Sequence, residues 1–380
     1  MIYIIKQWIK KLIEMVFSLF PMQNKVVFIN FNGRGFGCNP KYIALEMLRE
    51  QIDTEIVWLV SDLNELIPPQ IKKVRWGSLL FYYELATAKI IVTNVKNALP
   101  FRKRYKQYLI QTWHGSNAYK YVEKEAECQL PVRYIVESKE NSALTDLFIS
   151  DSPKTSQWYR ESFWCTCEIL ESGMPRNDIF MNGTNEQKLK IRKCFKLNLK
   201  QKILLYAPTF RDNGSFDGYQ LDFVKILEAL RNRFSGDWKI LLRLHPNVQK
   251  GLIIPTELRN DVFDASKYGD AQELIFASDA LITDYSSICN DFILMNKPVF
   301  LYVSDLDIYM KNGRGLKTNY MELPMPKDRT SDAVAETIKK FNIDDYHKKI
   351  DEYKKKYLGS IDGHASERVV QKIGSVTTNG

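Results

Sequence analysis

Two of the four histidines in this 380-residue sequence end short apolar runs, where a parallel strand would deliver them to a βα turn. His114 follows Tyr108–Gln111 through Thr112-Trp113 and is followed by Gly115-Ser116. An imidazole at a strand end is well placed to move a proton, and the glycine lets a ligand approach the backbone. A histidine capping a helix or bonded to backbone would use the same residues. The run Ile240–Leu244 contains Arg243 and leads to His245-Pro246. Strand alternation puts Arg243 and His245 on one side, and the proline fixes the turn. Guanidinium and imidazole together make a fork for a pyrophosphate. A buried arginine paired with a carboxylate is the competing reading.

A third turn, Asp284-Tyr285-Ser286-Ser287, follows the run Ala280–Thr283 and opens a helix over Ser286–Met295. Ser286 and Ser287 fall in the first turn, where unpaired N–H groups favour anions. Asp291 lies one turn behind Ser287 on the same face and can accept from a sugar or polyol hydroxyl. Capping explains one or two of these residues but not Asp291. Ile203–Tyr206 ends in Ala207-Pro208-Thr209-Phe210-Arg211, and Gly173–Asp178 supplies Arg176. Each of these two stretches says little alone.

Two further motifs are set aside. In Gly33-Arg34-Gly35-Phe36-Gly37 the third glycine comes one position early for a dinucleotide fingerprint, so the stretch reads as a flexible acceptor-side loop. Asp305-Leu306-Asp307 has the look of a metal-holding pair, but such pairs are frequent by chance. Neither a metal nor an organic cofactor is expected.

The elements that must position these turns alternate between strands and helices. Strands are expected at Val26–Phe31, Ile56–Val60, Ile90–Thr93, Tyr108–Gln111 and Tyr134–Val136. A second series runs through Ile169–Glu171, Ile203–Tyr206, Ile240–Leu244, Ala280–Thr283 and Val299–Tyr302. Alternation of this kind gives parallel sheets covered by helices on both faces. Two series imply an α/β chain of two Rossmann-like domains facing a central cleft, residues 22–173 and 174–330. A lysine-rich helical tail over 331–380 would pack across both.

Residues 1–21 stand apart. Lys6, Lys10 and Glu14 recur every four residues beside an apolar face of Ile5, Trp8, Ile9, Leu12, Ile13, Val16 and Phe20. Charges at every turn argue against a spanning helix. An amphipathic helix lying in an anionic membrane surface fits, as does a first helix packed on the protein's own core. The net charge of +9 suits an anionic partner, and the six scattered cysteines read as reduced thiols. Basic residues without interleaved aromatics in a known module argue against nucleic acid.

Taken together the motifs resemble the CDP-glycerol glycerophosphotransferase family, which builds teichoic acids and related capsule polymers. The matching residues are Trp113-His114-Gly115, Gly173 with Pro175–Asp178, Tyr206–Arg211, Arg243–Pro246 and Ser278-Asp279 through Asp284–Ser287 to Asp291. Arg314-Gly315 and Ala365–Arg368 extend the match. The resemblance implies a GT-B-like fold, no metal and peripheral attachment to the cytoplasmic face of the cell membrane. It implies a CDP-glycerol or CDP-ribitol donor and an undecaprenyl-diphosphate-linked saccharide or polyol-phosphate acceptor. His114 would then be the base, and Arg243 and His245 would hold the donor pyrophosphate. Pro208, Thr209, Ser286, Ser287 and Asp291 would line the CDP-polyol site with Arg176 at its edge. Trp113, Gly115, Ser116 and Arg314 count with the substrate-binding residues. The chain departs from the family pattern at Ser116-Asn117, Leu316-Lys317-Thr318 and His364, which bears on the polyol and acceptor rather than on the reaction. The competing functions are a GT-B glycosyltransferase using a nucleotide sugar, a CDP-ribitol-dependent enzyme, and a non-catalytic membrane scaffold.

Overall fold

The computed structural model describes residues 12, 13, 15–96, 103–116, 119–209, 211, 219–244, 254–312 and 315–378. Runs of apolar residues buried on both faces give the strands. β1 (Gln23–Ile29) carries Val26, Val27, Phe28 and Ile29, all fully buried. Such continuous burial is the mark of a parallel sheet covered on both sides. Val26 and Phe28 join a cluster on one face, Val27 and Ile29 a cluster on the other.

With β1 stand β2 (Glu55–Val60), β3 (Lys72–Arg75), β4 (Ala88–Thr93), β5 (Tyr108–Gln111), β6 (Leu147–Ser150) and β7 (Glu168–Glu171). They form one parallel sheet in the order β3-β2-β1-β4-β5-β6-β7. A second parallel sheet has the order β10-β9-β8-β11-β12-β13. Its members are β8 (Lys202–Ala207), β9 (Trp238–Leu242), β10 (Val262–Asp264), β11 (Ala280–Thr283), β12 (Val299–Tyr302) and β13 (Lys327–Asp328). In both sheets the chain reverses direction of winding beside its first strand. The switch points lie between β1 and β4 and between β8 and β11, where α/β sheets receive ligands.

The chain forms two compact units. One holds residues 1–114, 123–181 and 361–380; the other holds 115–122 and 182–360. The first unit therefore runs past the expected division at residues 173/174. The cause is the turn Pro175–Asn177, which packs on the helix Cys38–Arg49, with Arg176 N donating to Asn39 Oδ1 at 3.1 Å. The expected tail at 331–380 is divided as well. Helix Ile343–Tyr357 joins the second unit, where Tyr346 OH donates to Lys297 O at 2.7 Å. Helix Ala365–Thr378 returns to the first and buries Val369, Val370 and Ile373 in its core.

Asp178 anchors that returning helix, its carboxylate accepting from Ala365 N at 3.1 Å and Ser366 N at 2.7 Å. Gly173, at φ +85°, leaves room for Ala365, whose Cβ would lie 3.0 Å from any side-chain carbon there. Two stretches matched to the family thus meet each other and serve the fold. Asp178→Ala removes a buried cap and should cost about 1–2 kcal/mol. That lowers Tm by roughly 2–4 °C per kcal/mol in a unit of this size, with Asp178→Asn intermediate, as a thermal melt will show.

Several elements differ from expectation. Tyr134–Val136 is not a strand but part of the helix Val132–Leu144, begun at Pro131. A three-residue apolar run beside a proline does not distinguish the two. Glu168–Glu171 belongs to the first sheet, paired with β6 through Leu147↔Glu168. The sulfurs of Cys165 and Cys167 lie side by side just before β7. Of the N-terminal helix, residues 1–11 and 14 lie outside the described residues. Among the described residues no helix is long and apolar enough to cross a membrane.

Candidate active site

In the first unit the turn after β5 is built from side-chain amides. Gln111 Oε1 accepts from Trp113 N at 2.9 Å and helps hold Trp113 at φ +50°, a conformation costly for a bulky residue. Asn39 Nδ2 donates to Thr112 O at 3.2 Å and Trp113 O at 3.1 Å. Through its Oδ1 the same Asn39 also receives Arg176 N. His114 Nδ1 lies 2.7 Å from Asn94 O, the first residue beyond β4. Asn94 in turn spans the switch point: its Nδ2 donates to Asn30 Oδ1 at 2.8 Å and its Oδ1 accepts from Phe31 N at 2.8 Å. Asn30 Nδ2 donates to Arg34 O at 2.8 Å and Gly35 O at 3.2 Å, so the glycine-rich loop is tied to the same network. Trp113 stacks on the imidazole with centroids 4.3 Å apart, and Phe31 lies 5.4 Å away.

This geometry decides the tautomer. A carbonyl oxygen only accepts, so Nδ1 carries the hydrogen and Nε2 keeps its lone pair. Burial pushes the His114 pKa down to about 4, and the charge of Arg176 adds to the effect. The bond to Asn94 and the charge of Glu123 oppose it without prevailing. At neutral pH the ring is therefore an uncharged base, fixed in direction. Glu123 is itself buried beside Lys96, 3.5 Å away.

The second unit repeats the design at its own switch point. Thr209, after β8, reaches Asp284, after β11: Thr209 N donates to Asp284 Oδ1 at 2.8 Å and Thr209 Oγ1 to the same oxygen at 2.5 Å. Arg211 backs this bridge, 2.8 Å from Asp284 Oδ2 through Nη1 and forked onto Asp305 at 2.6 and 2.9 Å. Burial works against the Arg211 charge, but Asp284 and Asp305 outweigh it and hold its pKa above the usual value. Tyr285 OH also donates to Asp305 Oδ1 at 2.9 Å. Asp307 pairs with Arg329 at 2.7 Å. Both carboxylates of the Asp-x-Asp pair are thus engaged by arginines.

Arg243 follows β9. Its Nη1 donates to Tyr268 O at 2.8 Å and Ala265 O at 3.3 Å, and its backbone N to Tyr206 O at 2.8 Å. Among the described residues no carboxylate forms an ion pair with it, contrary to the competing reading. Burial lowers its pKa, with Asp270 and Tyr268 acting in the other direction. Ser286 Oγ accepts from Ile288 N at 3.3 Å, and Ser287 precedes the helix Ile288–Ile293. Asp291 is buried in that helix and accepts from Gln272 Nε2 at 3.2 Å. Pro208 is buried directly before Thr209. Gly115 and Ser116 group with this unit, where a Cβ on Gly115 would lie 3.2 Å from Ser287 Oγ.

The second unit therefore gathers Gly115, Ser116, Pro208, Thr209, Arg243, Ser286, Ser287 and Asp291. The first holds Trp113, His114 and Arg176. His245, Pro246 and Arg314 lie outside the described residues. The sequence reading missed Asn39, Asn94 and Gln272 as positioning groups. Asn94 alone carried a signal, an amide directly after a buried strand.

Residues 12–375 match the family described as CDP-glycerol:poly(glycerophosphate) glycerophosphotransferase. The chain is 30% identical over 371 residues to the teichoic acid poly(glycerol phosphate) polymerase of Bacillus spizizenii, covering 94% of each. It is 30% identical to the teichoic acid glycerol-phosphate transferase of Staphylococcus aureus, covering 97% of this chain and 99% of that one. A solved structure of the wall teichoic acid polymerase TagF, a His-to-Asn variant soaked with CDPG, superposes with a TM-score of 0.85. The two are 27% identical, and 99% of each chain is covered. The chain belongs to the CDP-glycerol:poly(glycerophosphate) glycerophosphotransferase family and is a phosphotransferase of that type.

Proposed function

We propose that this phosphotransferase moves glycerol phosphate from CDP-glycerol to a lipid-linked acceptor in teichoic acid synthesis, releasing CMP. The observation that carries the reading is the uncharged imidazole of His114, locked by Asn94 O with Nε2 as its accepting nitrogen. A hydroxyl on the acceptor is a weak nucleophile until a base takes its proton. In the proposed step the acceptor oxygen attacks the phosphorus bearing glycerol, and its proton passes to His114 Nε2. The new P–O bond forms as the P–O bond to the cytidylyl phosphate breaks, and CMP leaves with the electron pair. Charge builds on the diphosphate oxygens, where Arg243 and His245 act, so positioning and electrostatics supply most of the rate. Thr209, Ser286, Ser287 and Asp291 hold the cytidylyl and glycerol groups. In this reading the first unit serves the acceptor and the second the donor, as in a GT-B-like enzyme.

Attachment to the cytoplasmic face of the membrane is part of the proposal. Leu12, Met15, Val16, Leu19 and Phe20 are exposed, while Phe17 and Phe20 pack on Tyr83 with centroids 5.8 and 5.5 Å away. A helix held by one edge and apolar on the other supports an in-plane anchor.

The test is CMP release with CDP-glycerol and a lipid-linked acceptor in vesicles. Turnover should be faster on anionic than on zwitterionic vesicles. Turnover with a nucleotide sugar and none with CDP-glycerol would replace the reading by a glycosyltransferase.

A further inference from the structure

Residues 115–122 follow directly on His114 yet group with the second unit, and the contacts that hold them centre on one side chain. Asn290 Nδ2 donates to Ser116 O at 3.2 Å, and Asn290 Oδ1 accepts from Tyr119 OH. All three residues are buried, and Asn290 is 1% exposed. An amide gripping one segment at two points, by its acceptor and its donor, fixes both its distance and its register. Lys317 N then donates to Tyr119 O at 2.7 Å, and Tyr119 packs edge-on against Tyr320 at 5.3 Å.

Asn290 belongs to the helix Ile288–Ile293, which also carries Asp291 and is preceded by Ser287. The helix that supplies donor-binding groups is therefore the one that grips the chain two residues beyond the proposed base. We infer that Asn290 is a positioning residue for His114, tying the turn that carries the base to the helix that lines the donor site. Tyr119 is its partner in the grip. The inference rests on the proposed roles of His114 and of the donor helix.

A base displaced by as little as 1 Å loses on the order of 10²-fold in rate, whereas the Tyr119 hydroxyl bonds Asn290 and none of the proposed donor groups Thr209, Ser286, Ser287 and Asp291. Tyr119→Phe deletes one hydroxyl and keeps the ring packing, so it should fold. It should lower kcat about 10-fold while KM for CDP-glycerol stays within about twofold, and Asn290→Ala should lower kcat further. A role confined to stability would leave kcat of the folded fraction unchanged. Hydrogen exchange gives a readout that needs no turnover. Amides at 115–122 should exchange faster in Asn290→Ala than in the parent protein, with 288–293 less affected. Unchanged kcat in both variants, or unchanged exchange at 115–122, overturns the inference. Parent protein that fails to use CDP-glycerol while the exchange difference persists would sink the donor reading and leave the grip standing.

Discussion

Replacing His114 by asparagine should lower kcat about 10³-fold and leave KM for CDP-glycerol nearly unchanged, because general-base catalysis typically contributes 10²- to 10⁴-fold. Asparagine retains an N–H for Asn94 O but has no lone pair to take a proton from the acceptor. The pH profile supplies an independent check. The ring is neutral until pH falls to about 4, so kcat/KM should be flat across mildly acidic and neutral pH. It should then decline tenfold per unit below that point. An imidazole near the ordinary value of about 6.5 would instead place the decline close to neutrality. Stability follows the same linkage. Between about 6.5 and about 4 the unfolded chain binds a proton that the folded ring refuses, so stability drops as pH falls through this window. His114→Asn should lose that part of the acid sensitivity. Steady-state kinetics and melts from pH 3 to 7 measure both effects. A kcat within a few-fold of the parent would remove His114 from the chemistry.

What the sequence disclosed followed from burial. The inner strands β1, β2, β4, β8 and β11 each contain a run of three or more apolar residues, and each was legible as a strand. β3 buries only Val74 and β13 has two residues, so neither carries a signal strong enough to read. Membership was harder than existence. Nothing in Glu168–Glu171 says that it returns to the first sheet, nor in Ala365–Thr378 that it returns to the first unit. Those assignments depend on partners such as Asp178, far away in sequence.

The site shows the same division. Turns bearing His114, Arg243, Ser286 and Ser287 announced themselves by residue type at strand ends. The groups that aim them did not, since asparagine is ordinary in loops and Asn39 meets Arg176 across 137 positions. The glycine-rich loop read as flexible, yet Asn30 bonds two of its carbonyls. Arg211 and Asp305 lay in separate motifs, one weak and one dismissed. Folding makes them a single bidentate pair beneath Thr209 and Asp284.

Arg243→Ala should cut kcat/KM by about 10²- to 10³-fold, the range for removing a group that meets charge developing in the transition state. The guanidinium is held through one nitrogen, Nη1, by two backbone carbonyls. Among the described residues its Nε and Nη2 have no such partner, which leaves one edge of the fork for phosphate oxygens. Burial lowers its pKa, but a guanidinium stays charged across the physiological range. Burial also strengthens any anion it meets. Lysine at this position supplies the charge without the plane. It cannot satisfy Ala265 O and Tyr268 O while presenting two parallel donors to a diphosphate. Arg243→Lys should therefore recover only a small part of the lost rate, even if it melts like the parent. A structural role makes the opposite forecast, with stability falling and kcat/KM of the folded fraction intact. Because CMP bears the leaving charge, the Ala variant should also bind CMP more weakly, readable by calorimetry. Unaltered kcat/KM together with unaltered CMP affinity would take Arg243 out of the donor site.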